Sequence, residues 1–314
     1  MPVYQGERTL PTLLVEIKPF SHVQLTAGGI AYVVSEVLLV HDCGPDNSVA
    51  KIEELAEKYS FVRPVWLSKN YGQHAATLAG MASATGDWVL TIDEDGQHNP
   101  ADLPKMLDAA IADRLQLLYG HAKNSPPHGP VRNAASRAAK YIGSKLLGSD
   151  NFSRVSSFRL VDGEIARTLA AYCGNGVYLD VGLNWVAGRI GHIPLVLRAE
   201  GDRPSGYSYV KLLGHFWRLV FTSGTRPLRL ITLFGFLSVA IAFAIAAYAL
   251  WGRLTSSIPV QGWASTVIIV AFFSGCILTA LGIIAEYMAV TLGIAMGKPL
   301  YVVASKPTQT GSIR

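Results

Sequence analysis

Short runs of β-branched and aromatic residues alternate with stretches of helical period along the N-terminal part of the chain. The clearest run is Trp88, Val89, Leu90, Thr91 and Ile92, bounded by Gly86-Asp87 before it and by a polar cluster after it. Such a run predicts a buried strand. Further strands are expected over residues 37–40, 61–67, 115–120 and 193–197, with a short one near 158–160. Helical periods fall over 49–59, 75–85, 101–113, 132–147, 164–172 and 178–190. Strand and helix in turn predict an α/β domain with a mainly parallel sheet. Residues 10–36 are irregular: Pro11 suits the first turn of a helix and Pro19 should interrupt it. Only Met1 precedes Pro2-Val3-Tyr4, so any first strand here is expected to be very short.

Beyond Ser208 the pattern changes. Tyr209, Leu212, Leu213, Phe216 and Val220 recur at helical spacing, with Lys211, His215 and Arg218 opposite. This stripe predicts a helix lying in a membrane interface, the alternative being one packed on a domain. Residues 230–251 and 263–285 carry no charge, and each is long enough to cross a bilayer core. Trp251 and Trp263 mark one boundary. Arg226 and Arg229 precede the first span, Lys298, Lys306 and Arg314 follow the second, and the connector holds only Arg253. The positive-inside rule then puts the large domain and the C-terminal tail in the cytoplasm. Glu286 falls where the second span should end. The expected organisation is a large α/β domain at 1–208, an interfacial helix at 209–225, two membrane helices within 226–297 and a tail at 298–314.

Composition agrees with a membrane-attached protein. Half of the 314 residues are hydrophobic and only 16% are charged, and mean hydropathy is +0.30. The net charge of +5 is compatible with anionic lipid or phosphorylated substrates. Nucleic acid is not expected as a partner, because the excess charge lies beside the membrane segments and the phosphate-site motifs. Cys43, Cys173 and Cys276 are too far apart in sequence for a metal pair or a disulfide framework. No basic region followed by an apolar core opens the chain, so no cleavable signal peptide is expected.

The candidate chemistry sits at the carboxyl end of the 88–92 strand, where open α/β sheets bind ligands. Asp93, Glu94 and Asp95 stand there, followed by Gln97 and His98. Asp93 and Asp95 are two apart and could converge on one hard cation such as Mg²⁺ or Mn²⁺. Alone, the pair reads more simply as an acidic turn after a strand. A second polar turn, residues 41–48, reads as a loop with a helix N-cap at Asp46 or Ser48.

The ordered set of motifs resembles the family 2 glycosyltransferases that load a sugar onto a polyprenyl phosphate. Pro2-Val3-Tyr4 is similar to that family's P-V-Y-N-E opening, and residues 40–48 to its V-D-D-G-S-x-D-x-T turn. Residues 69–74 (KNYGQH) resemble R-N-F-G-Q-H, and 93–100 (DEDGQHNP) resemble D-A-D-L-Q-H-P-P. Phe158-Arg159-Leu160 matches F-R-L, and 203–209 resembles R-x-x-G-x-S-K-Y. The G-E-Y and R-P-x-Y ends have counterparts at 282–287 and 298–301.

The resemblance implies a GT-A-type domain using Mg²⁺ or Mn²⁺, with Asp93, Asp95 and Gln97 binding metal and diphosphate. Pro2, Tyr4, Glu7, Asp42, Asp46 and Lys69 would line the nucleotide-sugar site, with Asp42 on the base or ribose. Arg159, Arg198 and Arg203 would contact diphosphate or the acceptor phosphate, and Ser205 the acceptor, since the guanidinium fork suits phosphate. Implied partners are a nucleotide-sugar donor, UDP-linked before GDP-linked, a polyprenyl phosphate acceptor and a bacterial inner membrane crossed more than once. A homo-oligomer, a tetramer by the same resemblance, is also implied.

Three departures stand out. His41 occupies an acidic position, Lys123 would replace an arginine, and Ser157 replaces the aspartate that often precedes F-R-L. A phosphate monoester carries about −1.5 to −2 charge at pH 7, so it is a nucleophile without a base. Asp180 is a spare carboxylate, suited either to sugar hydroxyls or to the surface. Two other functions compete. A non-catalytic membrane scaffold is motivated by His41, Ala122 and Ser157. A processive polysaccharide synthase would carry a Q-x-x-R-W motif and further spans, neither of which is present.

Overall fold

The computed structural model describes residues 1–123, 155–174, 177–198, 262–297 and 299–305, with isolated positions between 240 and 251. The helix expected at 132–147, the interfacial stripe at 209–225, Arg203, Ser205 and most of the first span lie outside the described residues.

Two four-stranded sheets carry the domain. The first is built from β1 (Pro2–Val3), β4 (Val37–His41) and β5 (Val62–Leu67), all parallel, with Pro2 opposite Val40 and Val40 opposite Val65. All five residues of β4 are buried, as its unbroken apolar run requires of a strand covered on both faces. Helix α2 (Ser48–Lys58) covers one face through Ile52 and Leu55. On the other face lies α3 (Gln73–Ser83), whose Ala75, Ala76, Ala79 and Gly80 leave little side chain between helix and strand.

The region expected to be irregular begins with α1 (Leu10–Ile17), with Pro11 in its first turn. A 3-10 turn then runs over Lys18–Ser21, where Pro19 ends the α-helical hydrogen bonding. The hairpin β2 (Gln24–Leu25) and β3 (Ala31–Tyr32) follows.

The second sheet has the order β6 (Trp88–Thr91), β8 (Arg159–Asp162), β7 (Leu117–Ala122) and β9 (Ile190–Leu195). Here the expectation of a mainly parallel sheet is corrected. β8 runs antiparallel to both β6 and β7, and only β7 and β9 are parallel. The connection between β7 and β8 is long, so the chain can return from either end, and hydrophobic pattern alone carries no strand direction. Helix α4 (Leu103–Ala112) packs Met106, Leu107 and Ala110 against this sheet. On the opposite face lie α5 (Gly163–Tyr172), capped by Asp162, and α6 (Leu179–Val186), which is shorter than its sequence pattern predicts.

The last long element, α7 (Trp263–Ala295), continues past the expected end of the second span and takes Glu286 into the helix. Its window Phe272–Ala289 is apolar enough to cross a bilayer and has none of its length buried by the rest of the protein. The chain then returns to the domain: β10 (Val303–Ala304) pairs antiparallel with β5, and Ser68 N donates to Val302 O at 2.9 Å.

Candidate active site

β6 delivers Asp93, Glu94 and Asp95 to its carboxyl end, and Gly96, at φ 76, turns the chain where a side chain would be strained. Asp93 is held on both oxygens. Gln73 Nε2, at the start of α3, donates to its Oδ1 at 2.7 Å, and Ser157 Oγ donates to its Oδ2 at 2.5 Å. Asp95 Oδ1 accepts from Gln97 N at 3.0 Å, a local turn that orients the carboxylate. Glu94, for which the sequence suggested no role, accepts from Tyr4 N at 3.0 Å and Gln5 N at 2.9 Å. It ties the loop after β1 to the acidic turn after β6. Alternation along an exposed turn gives no sign of such a partner ninety positions away.

The residues expected to line the nucleotide-sugar site include several at the carboxyl end of the first sheet. Asp42 is buried, and its two oxygens accept from Tyr71 N at 2.7 Å and Gly72 N at 2.8 Å. Gly72 has φ 90, so this loop needs glycine to bring its N–H to the carboxylate. Burial pushes the Asp42 pKa up, and the two backbone donors oppose that shift. Any contact to base or ribose would use the lone pairs left over. Asp46 Oδ2 accepts from Glu7 N at 3.1 Å, and its Oδ1 accepts from Ser48 Oγ at 2.7 Å. Ser48 Oγ in turn accepts from Gly6 N at 2.9 Å. Neither Asp46 nor Ser48 occupies the N-cap position of α2, which is Asn47. The two polar side chains fasten the Gly6-Glu7 loop instead. Lys69 is exposed, with its amine 5.2 Å from the centre of the Tyr71 ring.

Arg159 lies beneath the acidic turn. It is buried and forms an ion pair with Asp180, and its Nε donates to Thr91 Oγ1 at 3.1 Å. Tyr119 Oη donates to Asp180 Oδ1 at 3.0 Å, and burial followed by the Asp180 charge raises the Tyr119 pKa, keeping it a donor. Asp180 is therefore neither at the surface nor aimed at open solvent. His98 is also buried, stacked on Phe158 at 4.7 Å, and burial lowers its pKa against the pull of Asp93 and Asp95. Arg198 is exposed beside the same turn, donating to both Glu16 oxygens at 3.0 and 2.7 Å and to Asn99 Oδ1 at 2.8 Å. Its N–H donates to Gln97 O at 2.9 Å, linking it to the acidic loop.

Among the described residues no three His, Cys, Asp or Glu side chains converge as a closed metal cage. Two carboxylates on one turn, with Asp93 fixed by two donors, fit instead the open coordination of Mg²⁺ or Mn²⁺ that substrate phosphates complete.

The family model described as glycosyl transferase family 2 matches residues 1–169, more than half of the chain. The chain belongs to that family. It is a glycosyltransferase of GT-A fold, as its motif order implied. Over 309 residues it is 26% identical to an undecaprenyl-phosphate 4-deoxy-4-formamido-L-arabinose transferase of Klebsiella pneumoniae, covering 96% of this chain and 91% of that one. A Sodalis glossinidius protein of the same name is 27% identical with the same coverage. Among solved structures, S. aureus TarS bound to UDP-GlcNAc superposes with a TM-score of 0.48 at 17% identity. That match covers 71% of this chain and 64% of the other, which is TarS residues 1–349, so this glycosyltransferase aligns with less than two thirds of that TarS fragment.

Proposed function

We propose that this glycosyltransferase moves a sugar from a nucleotide-sugar, UDP-linked before GDP-linked, to undecaprenyl phosphate or a similar polyprenyl phosphate. The observation carrying the acceptor is similarity along nearly the whole chain, C-terminal apolar region included, to proteins named for transfer to undecaprenyl phosphate.

An oxygen of the acceptor phosphate bonds to the anomeric carbon while the bond from that carbon to the donor diphosphate breaks. A nucleoside diphosphate leaves, and the configuration inverts. No proton need be removed first, because the acceptor oxygen is already anionic. Ser157 in place of a carboxylate is compatible with this route. Asp93 and Asp95, with Gln97, would hold a divalent cation, whose contribution is positive charge for the departing diphosphate. Gln73 and Ser157 keep Asp93 in one orientation as the donor arrives. Arg198, beside the acidic turn and exposed, is the described arginine best placed for the acceptor phosphate. Arg203 and Ser205 belong to the same proposal.

The exposed apolar length of α7 supports a membrane-embedded C-terminal region. Chain parity supports a second crossing. Residues before 199 and residues 299–305 pack on one domain, so a helix crossing the bilayer once between them needs a return crossing. Residues 230–251 are the uncharged run available for it. The catalytic domain would then face the cytoplasm at the inner membrane.

Purified protein in nanodiscs, given undecaprenyl phosphate, Mg²⁺ or Mn²⁺ and a panel of UDP- and GDP-sugars, should form one lipid-linked sugar detectable by mass spectrometry. Transfer only to a soluble acceptor, or to none with every donor, overturns the reading.

A further inference from the structure

Arg159 is only 3% exposed, and its donors are turned to protein groups. One terminal nitrogen pairs with Asp180, which Tyr119 Oη also holds. The single hydrogen on Nε is shared between Thr91 Oγ1 at 3.1 Å and Ser157 O at 3.5 Å. Thr91 stands opposite Arg159 in the ladder between β6 and β8, which puts both side chains on one face. The same antiparallel register, carried two residues on, sets Asp93 opposite Ser157. The bond from Ser157 Oγ to Asp93 Oδ2 closes that next rung.

Chemistry fixes the direction of each bond. A guanidinium has only hydrogens to give, so Thr91 Oγ1 accepts from Arg159. The hydrogen of Thr91 itself goes to Ser157 O, at 2.5 Å. The Ser157 hydroxyl gives its hydrogen to the Asp93 carboxylate. Tyr119, Asp180, Arg159, Thr91, Ser157 and Asp93 therefore form one series, which passes through the backbone of Ser157 and ends at the acidic turn. Thr91 and Arg159 are both buried, so water does not readily replace a link removed there.

We infer that Thr91 and Arg159 are positioning residues: they pin the backbone at Ser157, so that its hydroxyl holds Asp93 in the orientation that receives the divalent cation. Arg159 then acts on the acidic turn from beneath rather than on a phosphate, and Asp180 acts by holding Arg159. With Gln73 on its other oxygen, Asp93 keeps one set of lone-pair directions for the ion. Groups that orient a ligand in this way commonly govern metal affinity almost as strongly as the ligand does. The inference rests on the proposed reading of Asp93 as a ligand of the cation.

Mn²⁺ binding to the full chain, followed by electron paramagnetic resonance with UDP or GDP present, reads the effect without turnover. Thr91→Val keeps the shape of the side chain and removes its hydroxyl, whereas Thr91→Ser keeps the hydroxyl. Thr91→Val should weaken Mn²⁺ binding at least about tenfold and lower kcat to match, with KM for the lipid acceptor unchanged. Thr91→Ser should stay within about twofold of the parent. Ser157→Ala should match Thr91→Val, and the two together should lose no more than either alone, because both break one series. Val161→Ala removes core volume two positions along β8 and leaves the series intact, so it should lower Tm without changing Mn²⁺ affinity. Parent-like Mn²⁺ affinity in Thr91→Val, additive losses in the double variant, or an equal loss in Val161→Ala overturns the inference. Asp93→Asn separates it from the reading beneath it. If Asp93→Asn binds Mn²⁺ as the parent does, the cation site itself is misassigned and the inference falls with it. If Asp93→Asn loses the ion and Thr91→Val keeps it, the site stands and the positioning role alone is overturned.

Discussion

The two sheets hold their polar residues by different means. At the end of the first, carboxylates are answered mainly by backbone: Asp42 by Tyr71 and Gly72, and Asp46 by Glu7 on one oxygen, with the Ser48 hydroxyl on the other. At the second, side chains answer side chains: Asp93 with Gln73 and Ser157, Arg159 with Asp180 and Thr91. In the first case the loops are shaped and their outward surface is left for a ligand. In the second, charges are fixed at defined points under and beside the acidic turn. On the function proposed above, the first arrangement would suit a nucleotide, which needs a shaped cup, and the second the breaking of a sugar–phosphate bond, which needs placed charge.

The sharpest way to break the comparison is to remove charge from the second sheet without touching shape. Asp95→Asn keeps the oxygen that accepts from Gln97 N. It should lower turnover at least about 100-fold while leaving Tm within about 2 °C. Transfer assays and thermal unfolding on the same preparation check this. Undiminished turnover would remove Asp95 from the site.

Next in size is the buried pair. Asp180→Asn leaves the Arg159 charge buried without its counterion, which should cost about 3–5 kcal/mol in urea unfolding. Arg159→Met combined with Asp180→Leu should recover most of that stability and none of the activity. Recovery of both would make the pair purely structural.

Much of this division was legible in the residues. Buried strands such as 37–40 and 88–92 announce themselves because both faces are covered and the run has no polar break. The acidic turn was legible because polar residues directly after such a run have one place to go, the sheet's carboxyl end. What escaped were facts of partnership. β8 looks like any short apolar run, and its antiparallel direction depends on where a long connection lets it enter. Asp180 read as a spare carboxylate because its partners, Arg159 and Tyr119, are brought to it by two other elements. Glu94 read as part of an acidic turn because Tyr4 and Gln5 are distant in the chain.

Glu94 is also the residue that links the two regimes, a side chain of the second sheet answering backbone of the first. Glu94→Ala removes two charge-assisted hydrogen bonds that are open to solvent, so its effect on stability should stay near 1 kcal/mol. Its effect on nucleotide binding should be larger, about tenfold in Kd for a UDP-sugar by calorimetry, because the 4–6 loop loses its anchor. An unchanged Kd would show that Asp46 and Ser48 hold that loop unaided.

The smallest expected effect tests the first sheet, where His41 is a buried polar side chain answered by neither backbone nor side chain among the described residues. It lies at the end of β4, edge-on to Trp66 at 5.7 Å. Burial lowers its pKa, with Asp46 opposing. The folded state therefore disfavours the cation, and stability is lost as pH falls below the unfolded value near 6.5. One unit below that value the loss is at most about 1.4 kcal/mol. The Met1 amine, lowered to about 6, acts in the same direction between pH 6 and 8, so the two must be separated. His41→Phe, made in a chain with an unaltered N-terminus, separates them. It should unfold within about 1 kcal/mol of the parent at pH 8, where the ring is neutral in both states. Between pH 8 and pH 5.5 it should gain about 1 kcal/mol on the parent, because it has no proton to take up on unfolding. Parallel stability curves from pH 8 to 5.5 would mean that the imidazole finds a proton acceptor in solution, and His41 would then be answered as Asp42 and Asp46 are.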